Sequence, residues 1–87
     1  MGRWPAIFPQ AKDAPIVQEN FYRFYPALCR QVTYILGDNG LAEDIAQEAF
    51  IRLYQSPPKD MRTVGGWLFQ VAKNLALNLV RSETHQG

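Results

Sequence analysis

LAEDIAQEAFIRLY, residues 41–54, decides the fold because apolar and polar side chains alternate along it with the period of an α-helix. One side carries an apolar stripe of Leu41, Ile45, Ala49, Phe50 and Leu53. The opposite side carries the polar residues Glu43, Asp44, Gln47 and Glu48. The run therefore predicts an amphipathic helix with a buried apolar stripe and an acidic outer face. Glu48 and Arg52 have the spacing of a favourable ion pair along that helix.

Two further segments show the same helical period, one on each side of this run. In residues 17–36 the apolar stripe is Phe21, Phe24, Tyr25, Leu28, Val32, Ile35 and Leu36. In residues 64–82 the apolar stripe is Trp67, Leu68, Val71, Ala72, Leu75 and Leu79. Each amphipathic helix must bury one stripe, so the pattern predicts an all-α fold, a compact three- to four-helix bundle.

Glycine, proline and capping residues indicate where these helices begin and end. Pro26 should either kink the first helix or divide it, because its ring clashes with the carbonyl four residues earlier. Gly37 supplies a stop after the first helix, and Asp38 or Asn39 can cap the second. Thr63 can cap the third helix.

Proline and polar residues mark the segments outside the predicted bundle. Residues 1–16 contain three prolines, and we expect a non-helical arm that packs on the bundle or lies against a partner. Residues 55–62 form a polar loop stiffened by two consecutive prolines. Residues 83–87 are expected to form a flexible tail. A single helical domain, residues 17–82, remains.

Length and composition exclude several classes of protein. The chain has 87 residues, of which 47% are hydrophobic and 20% charged, values typical of one small globular domain. Its single cysteine cannot form an intramolecular disulfide, and no apolar stretch is long enough to cross a membrane. We therefore expect a soluble, cytoplasmic protein with no membrane association. The sequence also lacks a nucleophile with a base, a metal-ligand cluster and a phosphate-binding glycine loop, so we expect neither catalysis nor a cofactor or metal.

The charge is unevenly distributed, although the net charge is only +1. Residues 1–36 carry four basic and two acidic side chains, residues 37–55 one basic and four acidic, and residues 56–87 four basic and two acidic. An acidic helix flanked by two mildly basic segments suggests two different partners. The acidic face suits a basic protein surface. A short stretch of phosphates would suit the basic residues Lys59, Arg62, Lys73 and Arg81.

Two motifs give the sequence a family resemblance. Residues 42–54 contain the pattern Asp-x-x-Gln-Glu-x-Phe and resemble conserved region 2 of bacterial RNA polymerase sigma factors of the sigma-70 family, specifically the extracytoplasmic-function group. GWLFQVAKNLA, residues 66–76, resembles that family's Trp-Leu-x-x-Ile-Ala-x-Asn helix. The first helix also matches, so the resemblance covers about residues 17–82. Such factors carry a further helix-turn-helix domain, so the chain looks like an isolated first domain, either a fragment or a naturally short protein.

The resemblance implies that the outer face of the second helix binds the RNA polymerase core, on the coiled coil of the β′ subunit. The residues that match are Asp44, Gln47 and Glu48, together with Glu43 and Ile51. Carboxylates and an amide on one face can form charge-assisted hydrogen bonds with a basic partner helix. The family also makes an anti-sigma factor a candidate partner.

The resemblance further implies that the loop before the third helix, and the outer face of that helix, recognise and help melt the promoter minus-ten element. A base must leave the stack before a protein pocket can read its pairing edge, so the expected ligand is single-stranded non-template DNA. The residues that match are Lys59, Arg62, Thr63, Gln70, Lys73, Asn74, Asn78 and Arg81. The amide of Asn74 can pair with a base edge. Lys73, Arg62 and Arg81 would hold phosphates.

An alternative function is a helical protein–protein interaction module without DNA binding, for which Lys73 and Asn74 would be replaceable. Trp67 and Phe69 could stack on bases, but the place of Trp67 on the apolar stripe favours packing. Cys29 is expected to be a small buried apolar residue.

Overall fold

The computed structural model describes residues 15–85, with side chains for residues 17–82, and consists of three α-helices. Helix α1 spans Pro15–Leu36, α2 spans Asn39–Gln55 and α3 spans Val64–His85. A short 3-10 turn, Met61–Thr63, leads directly into α3. Each α-helix packs against the other two, and the part of the chain described contains no strand. The predicted all-α bundle is therefore confirmed.

Two helices extend beyond their predicted ends. Helix α1 begins at Pro15, so the last two residues of the predicted arm are helical. Proline is tolerated in a first turn because the amide hydrogen it lacks would have no partner there. The helix continues through Pro26 and is not divided, while a kink at this residue stays a prediction. Helix α3 runs to His85, inside the predicted tail. Residues 1–14 and 86–87 lie outside the described residues.

The turn between α1 and α2 has the predicted stop and cap. Gly37 has a φ of 72°, in the left-handed region that favours glycine. Asp38 Oδ1 accepts a hydrogen bond from the backbone N–H of Leu41 at 3.0 Å, so Asp38 rather than Asn39 caps α2. The side-chain oxygen of Asn39 accepts a hydrogen bond from the hydroxyl of Thr33 at 3.0 Å. This bond joins the end of α1 to the start of α2.

The predicted cap at Thr63 is wrong, because a 3-10 turn that begins at Met61 and includes Thr63 precedes α3. Asp60 Oδ1 accepts a hydrogen bond from the backbone N–H of Arg62 at 2.9 Å and caps the 3-10 turn. The hydroxyl of Thr63 donates to the carbonyl oxygen of Asp60 at 2.7 Å. Thr63 therefore closes the turn instead of capping α3.

The core lies between the three helices and contains aromatic residues of α1 and α2. The ring of Phe21 is fully buried, stacks on Tyr25 with 4.6 Å between ring centroids, and meets Phe50 edge-on at 5.1 Å. Other large side chains that are fully buried are Leu28, Val32, Leu53 and Leu68. Complete burial of one such side chain contributes about 1.5–3 kcal/mol. This cluster holds the outer faces of α2 and α3 in place.

The buried side of α2 differs from the prediction at one end. Leu41 is 36% exposed, whereas Ala42 and Ala46, which were not predicted to be buried, are fully buried. Small side chains let helices approach closely, so the buried side of α2 includes these alanines and leaves Leu41 in the first turn at the surface. The edge of the core contains half-buried residues of α3, namely Trp67, Phe69, Val71, Leu75 and Leu79.

Candidate protein-binding and nucleic-acid-binding faces

The residues predicted to contact RNA polymerase core lie together on one side of α2, opposite its buried alanines. Asp44, Gln47, Glu48 and Ile51 follow one another at spacings of three, one and three residues, and at 3.6 residues per turn they share one side of the helix. Glu43 and Asp44 are exposed, while Gln47, Glu48 and Ile51 are half-buried. These five residues are hereafter the acidic face. They offer three carboxylates, an amide and an aliphatic side chain.

The carboxylates of the acidic face differ in the partners they already have. Arg52 Nε donates to Glu48 Oε2 at 3.3 Å, which is the ion pair expected from their spacing, and both side chains are about half exposed. Exposed pairs of this kind contribute at most about 1 kcal/mol, so a binding partner can displace Arg52. Glu43 and Asp44 form no ion pair with any other described residue. These two carboxylates are therefore the most available to a basic partner.

Two titratable side chains of α1 lie close to the acidic face. Burial raises the pKa of Tyr25 to about 12, although a hydrogen bond with Gln47 acts in the opposite direction. Burial also raises the pKa of the Cys29 thiol, which is half-buried. The negative charge of Glu43 adds to both increases in pKa, because it disfavours a second anion nearby. Gln47 and Glu43 therefore lie on the side of the acidic face nearest α1.

The outer side of α3 carries five of the residues predicted to contact DNA, and all five are exposed. These residues, hereafter the polar stripe, are Gln70, Lys73, Asn74, Asn78 and Arg81. They follow one another at spacings of one to four residues and form a stripe about 16 Å long at 1.5 Å per residue. Gln70 Nε2 donates to Asn74 Oδ1 at 3.2 Å. This hydrogen bond restricts rotation of the Asn74 amide.

The other residues predicted to contact DNA, Lys59, Arg62 and Thr63, are exposed just before α3. Two hydrogen bonds join the Arg62 guanidinium to Asp60, from Nε to Oδ1 at 3.1 Å and from Nη2 to Oδ2 at 3.0 Å. Arg62 lowers the pKa of the Asp60 carboxyl below its ordinary value, and Asp60 raises the pKa of Arg62. The positive charge of this loop is therefore partly neutralised.

Asp60 is the residue of this region that the sequence analysis missed. It lies in PPKDMRT, residues 57–63, directly before a helical segment and two residues before an arginine. A carboxylate in that position can cap the helical segment and bind the arginine with its second oxygen. This spacing was the signal that could have identified it.

The aromatic residues near these faces differ in how far they pack into the core. Trp67 and Phe69 are half-buried and pack against the core, which supports packing rather than stacking for Trp67. Tyr54 is 50% exposed. Tyr54 lines an apolar groove of about 220 Å³, and the other lining residues are Val17, Leu53, Pro57, Pro58 and Met61. No charged side chain among the described residues lines this groove, and it shares no residue with the acidic face or the polar stripe.

The described part of the chain contains neither a metal-ligand cluster nor a membrane-spanning helix. No group of three or more His, Cys, Asp or Glu side chains within it is arranged to hold a metal ion. None of its helices is both long enough and apolar enough to cross a membrane.

Comparison with known proteins finds relatives over most of this chain. The family described as Sigma-70 region 2 matches residues 21–86. The probable ECF RNA polymerase sigma factor SigI of Mycobacterium tuberculosis is 44% identical over 48 residues, which cover 55% of this chain and 17% of SigI. The ECF RNA polymerase sigma factor SigL of the same organism is 31% identical over 75 residues, which cover 83% of this chain and 42% of SigL. The chain spans less than half the length of these relatives, and no solved structure matches it.

Proposed function

Because the chain belongs to the sigma-70 region 2 family, we propose that it serves transcription initiation as the part of a sigma factor that binds RNA polymerase core and promoter DNA. One observation supports this function best: the residues that match the two binding regions of the family occupy two different exposed surfaces. The acidic face lies on α2 and the polar stripe lies on α3. Each surface can therefore bind its own partner.

In this proposal the acidic face binds the coiled coil of the β′ subunit. Asp44 is suited to a basic side chain of that partner, because it is exposed and has no ion pair with another described residue. A hydrogen bond to a charged group contributes about 1.5–3 kcal/mol. Ile51 is half-buried on the same side and packs against the core. An apolar contact there would exclude water from the neighbouring polar contacts and strengthen them.

The polar stripe, in the same proposal, binds the unpaired non-template strand of the promoter minus-ten element. The amide of Asn74, held by Gln70, can hydrogen-bond to the edge of a base. Lys73 and Arg81 lie on the same stripe and would bind phosphates, which positions the strand without reading its sequence. A base held by the protein cannot return to the duplex, so recognition of the strand also favours melting.

Capture of RNA polymerase core tests the docking part of the proposal. The immobilised chain should capture purified core enzyme, and Asp44→Arg should abolish capture, because it places a positive charge against a basic partner. Glu19→Arg is the matched control, since Glu19 is an exposed acidic residue on a different helix, α1. Both variants should keep the helicity of the wild type by circular dichroism. Capture that is unchanged by Asp44→Arg would refute the assignment of this face.

Binding of single-stranded DNA distinguishes this function from an interaction module that never contacts DNA. The chain should bind a fluorescent minus-ten strand with an affinity that falls as salt rises, because a few phosphates are neutralised. Asn74→Ala should reduce discrimination against a scrambled strand, since one good base contact is worth about 1–3 kcal/mol. Lys73→Gln should weaken binding of both strands about equally. No binding by the folded wild type would favour the interaction module.

An anti-sigma factor is a further partner in this proposal. If such a protein covered the acidic face, it would compete directly with RNA polymerase core. Addition of that protein should then release captured core enzyme, and release should not require any change in the polar stripe.

A further inference from the structure

The loop before α3 is organised around Asp60. The carboxylate accepts hydrogen bonds from Arg62 Nε at 3.1 Å, from Arg62 Nη2 at 3.0 Å and from the backbone N–H of Arg62 at 2.9 Å. The carbonyl oxygen of Asp60 accepts a hydrogen bond from the hydroxyl of Thr63 at 2.7 Å. We propose that Asp60 keeps the binding of this loop to nucleic-acid phosphates weak by occupying the guanidinium of Arg62. This inference rests on the proposed binding of single-stranded DNA.

Carboxylate and phosphate oxygens compete for the same donors on an arginine. The guanidinium presents its N–H groups as a planar fork that matches either anion, and Asp60 occupies the edge formed by Nε and Nη2. A phosphate must displace Asp60 or bind the remaining edge beside a negative charge, and both routes weaken its attraction. The side chain of Arg62 is 90% exposed and that of Asp60 46% exposed. A DNA strand can therefore reach the pair directly.

The expected consequence is weaker binding of every single strand, whatever its sequence. Phosphate contacts position a strand but carry no direct sequence information. The hydrogen-bond partners of Asp60 lie within the loop, whereas the proposed base contact comes from Asn74 in the polar stripe. With Arg62 bound to Asp60, DNA binding depends more on contacts to bases and less on contacts to the phosphates of the strand. Arbitrary single strands are then held less tightly.

Asp60→Asn separates the two roles of this side chain. The asparagine Oδ1 can still accept a hydrogen bond from the backbone N–H of Arg62, and asparagine caps helices about as well as aspartate. Its NH₂ group replaces Oδ2, so a donor faces the Nη2 donor and the fork is lost. Asp38→Asn is the matched control. Asp38 also caps a helix through one carboxylate oxygen, loses the same charge on substitution, and forms no ion pair within the described part of the chain.

Fluorescence anisotropy with a mixed-sequence single-stranded oligonucleotide, over a series of salt concentrations, measures the effect. Asp60→Asn should bind about two- to fivefold more tightly than the wild type, which is the range for an exposed ion pair. Its salt dependence should be steeper by about one phosphate contact. Asp38→Asn should leave the affinity and the salt dependence unchanged. In an Arg62→Gln background Asp60→Asn should have no effect, because the guanidinium is no longer present.

Four outcomes would contradict the inference. An equal gain in DNA affinity for Asp60→Asn and Asp38→Asn would attribute the effect to the loss of one negative charge anywhere on the protein. Weaker binding by Asp60→Asn would mean that Asp60 positions Arg62 for phosphate instead of competing with it. If Lys73→Gln weakened DNA binding and Asp60→Asn left it unchanged, the proposed role of Asp60 would be overturned and the proposed function would stand. An absence of binding by every folded variant would refute both the inference and the DNA-binding proposal.

Discussion

Replacement of Gly65 by alanine should destabilise the protein, although alanine is the better helix former. Gly65 lies in the first turn of α3, and a Cβ atom there would be 3.0 Å from two carbon atoms of the Phe24 ring on α1. Contacts this short require the ring to move, and overpacking of this kind costs about 1–3 kcal/mol. The gain in helix propensity is at most about 1 kcal/mol. We expect a net loss of about 1 kcal/mol in the free energy of unfolding.

Gly66 provides a matched control in the same turn. A Cβ atom at Gly66 would meet no described atom within 4 Å apart from its chain neighbours and its own helix backbone, so Gly66→Ala adds helix propensity without a clash. This variant should be more stable than the wild type by about 0.5–1 kcal/mol. The same methyl group, added at neighbouring positions, should therefore change the stability in opposite directions.

Urea unfolding followed by far-UV circular dichroism would measure both variants, and thermal unfolding would provide a second readout. For a domain of this size, 1 kcal/mol corresponds to about 4–8 °C in Tm. The guanidinium of Arg23 lies 5.2 Å from the centroid of the Phe24 ring, so movement of the ring would also disturb this contact. If Gly65→Ala stabilised the protein as much as Gly66→Ala, the expected clash would be ruled out, because the Phe24 ring would then move aside without cost.

Further measurements test the core and the titratable groups. Phe21→Ala should lower the free energy of unfolding by about 3–5 kcal/mol in a urea titration, because a fully buried ring is lost. Tyr34 is 92% exposed, so Tyr34→Ala should change the free energy of unfolding by less than about 0.5 kcal/mol in the same titration. The pKa of Tyr25 is raised from an unfolded value of 10.0 to about 12, so its contribution to stability is fully present below pH 10.0. This contribution should be lost as the pH rises toward about 12. The loss should be absent from Tyr25→Phe. The carboxyl of Asp60 should titrate below its ordinary pKa by NMR, and Arg62→Gln should move it back, whereas an unchanged titration would contradict the observed pairing.

The three helices could be predicted from the sequence because apolar periodicity is a local property of each segment. A cap at Asp38 or Asn39 and the stop at Gly37 could be predicted for the same reason, since each acts on its own turn of helix, and the structure selects Asp38. Leu41 was misassigned because its exposure depends on how close the neighbouring helices come to the start of α2. Thr63 was misassigned as a helix cap because the 3-10 turn before α3 is too short to produce a periodic pattern of apolar residues.

The membership of the two candidate faces could also be predicted, since spacings of three and four residues place side chains on one side of a helix. The hydrogen bond from Gln70 to Asn74 follows from the same spacing. The contact between Gln47 and Tyr25 could not be predicted, because it depends on how α2 packs on α1. Sequence spacing thus identifies which residues share a face, while the packing of the helices determines which of them are already engaged.

The location of the two faces on different helices makes their proposed roles separable by mutation. Asp44 on α2 and Asn74 on α3 are both exposed, and neither belongs to the core that holds the helices together. A substitution at either residue should therefore weaken one interaction and leave the fold intact, whereas Phe21→Ala should reduce both interactions by unfolding the domain. Loss of RNA polymerase capture with single-strand binding retained in Asp44→Arg, and reduced discrimination between strands with capture retained in Asn74→Ala, would support two independent surfaces. Impairment of both interactions in either folded variant would instead require one shared surface, which the separation of these residues on two helices argues against.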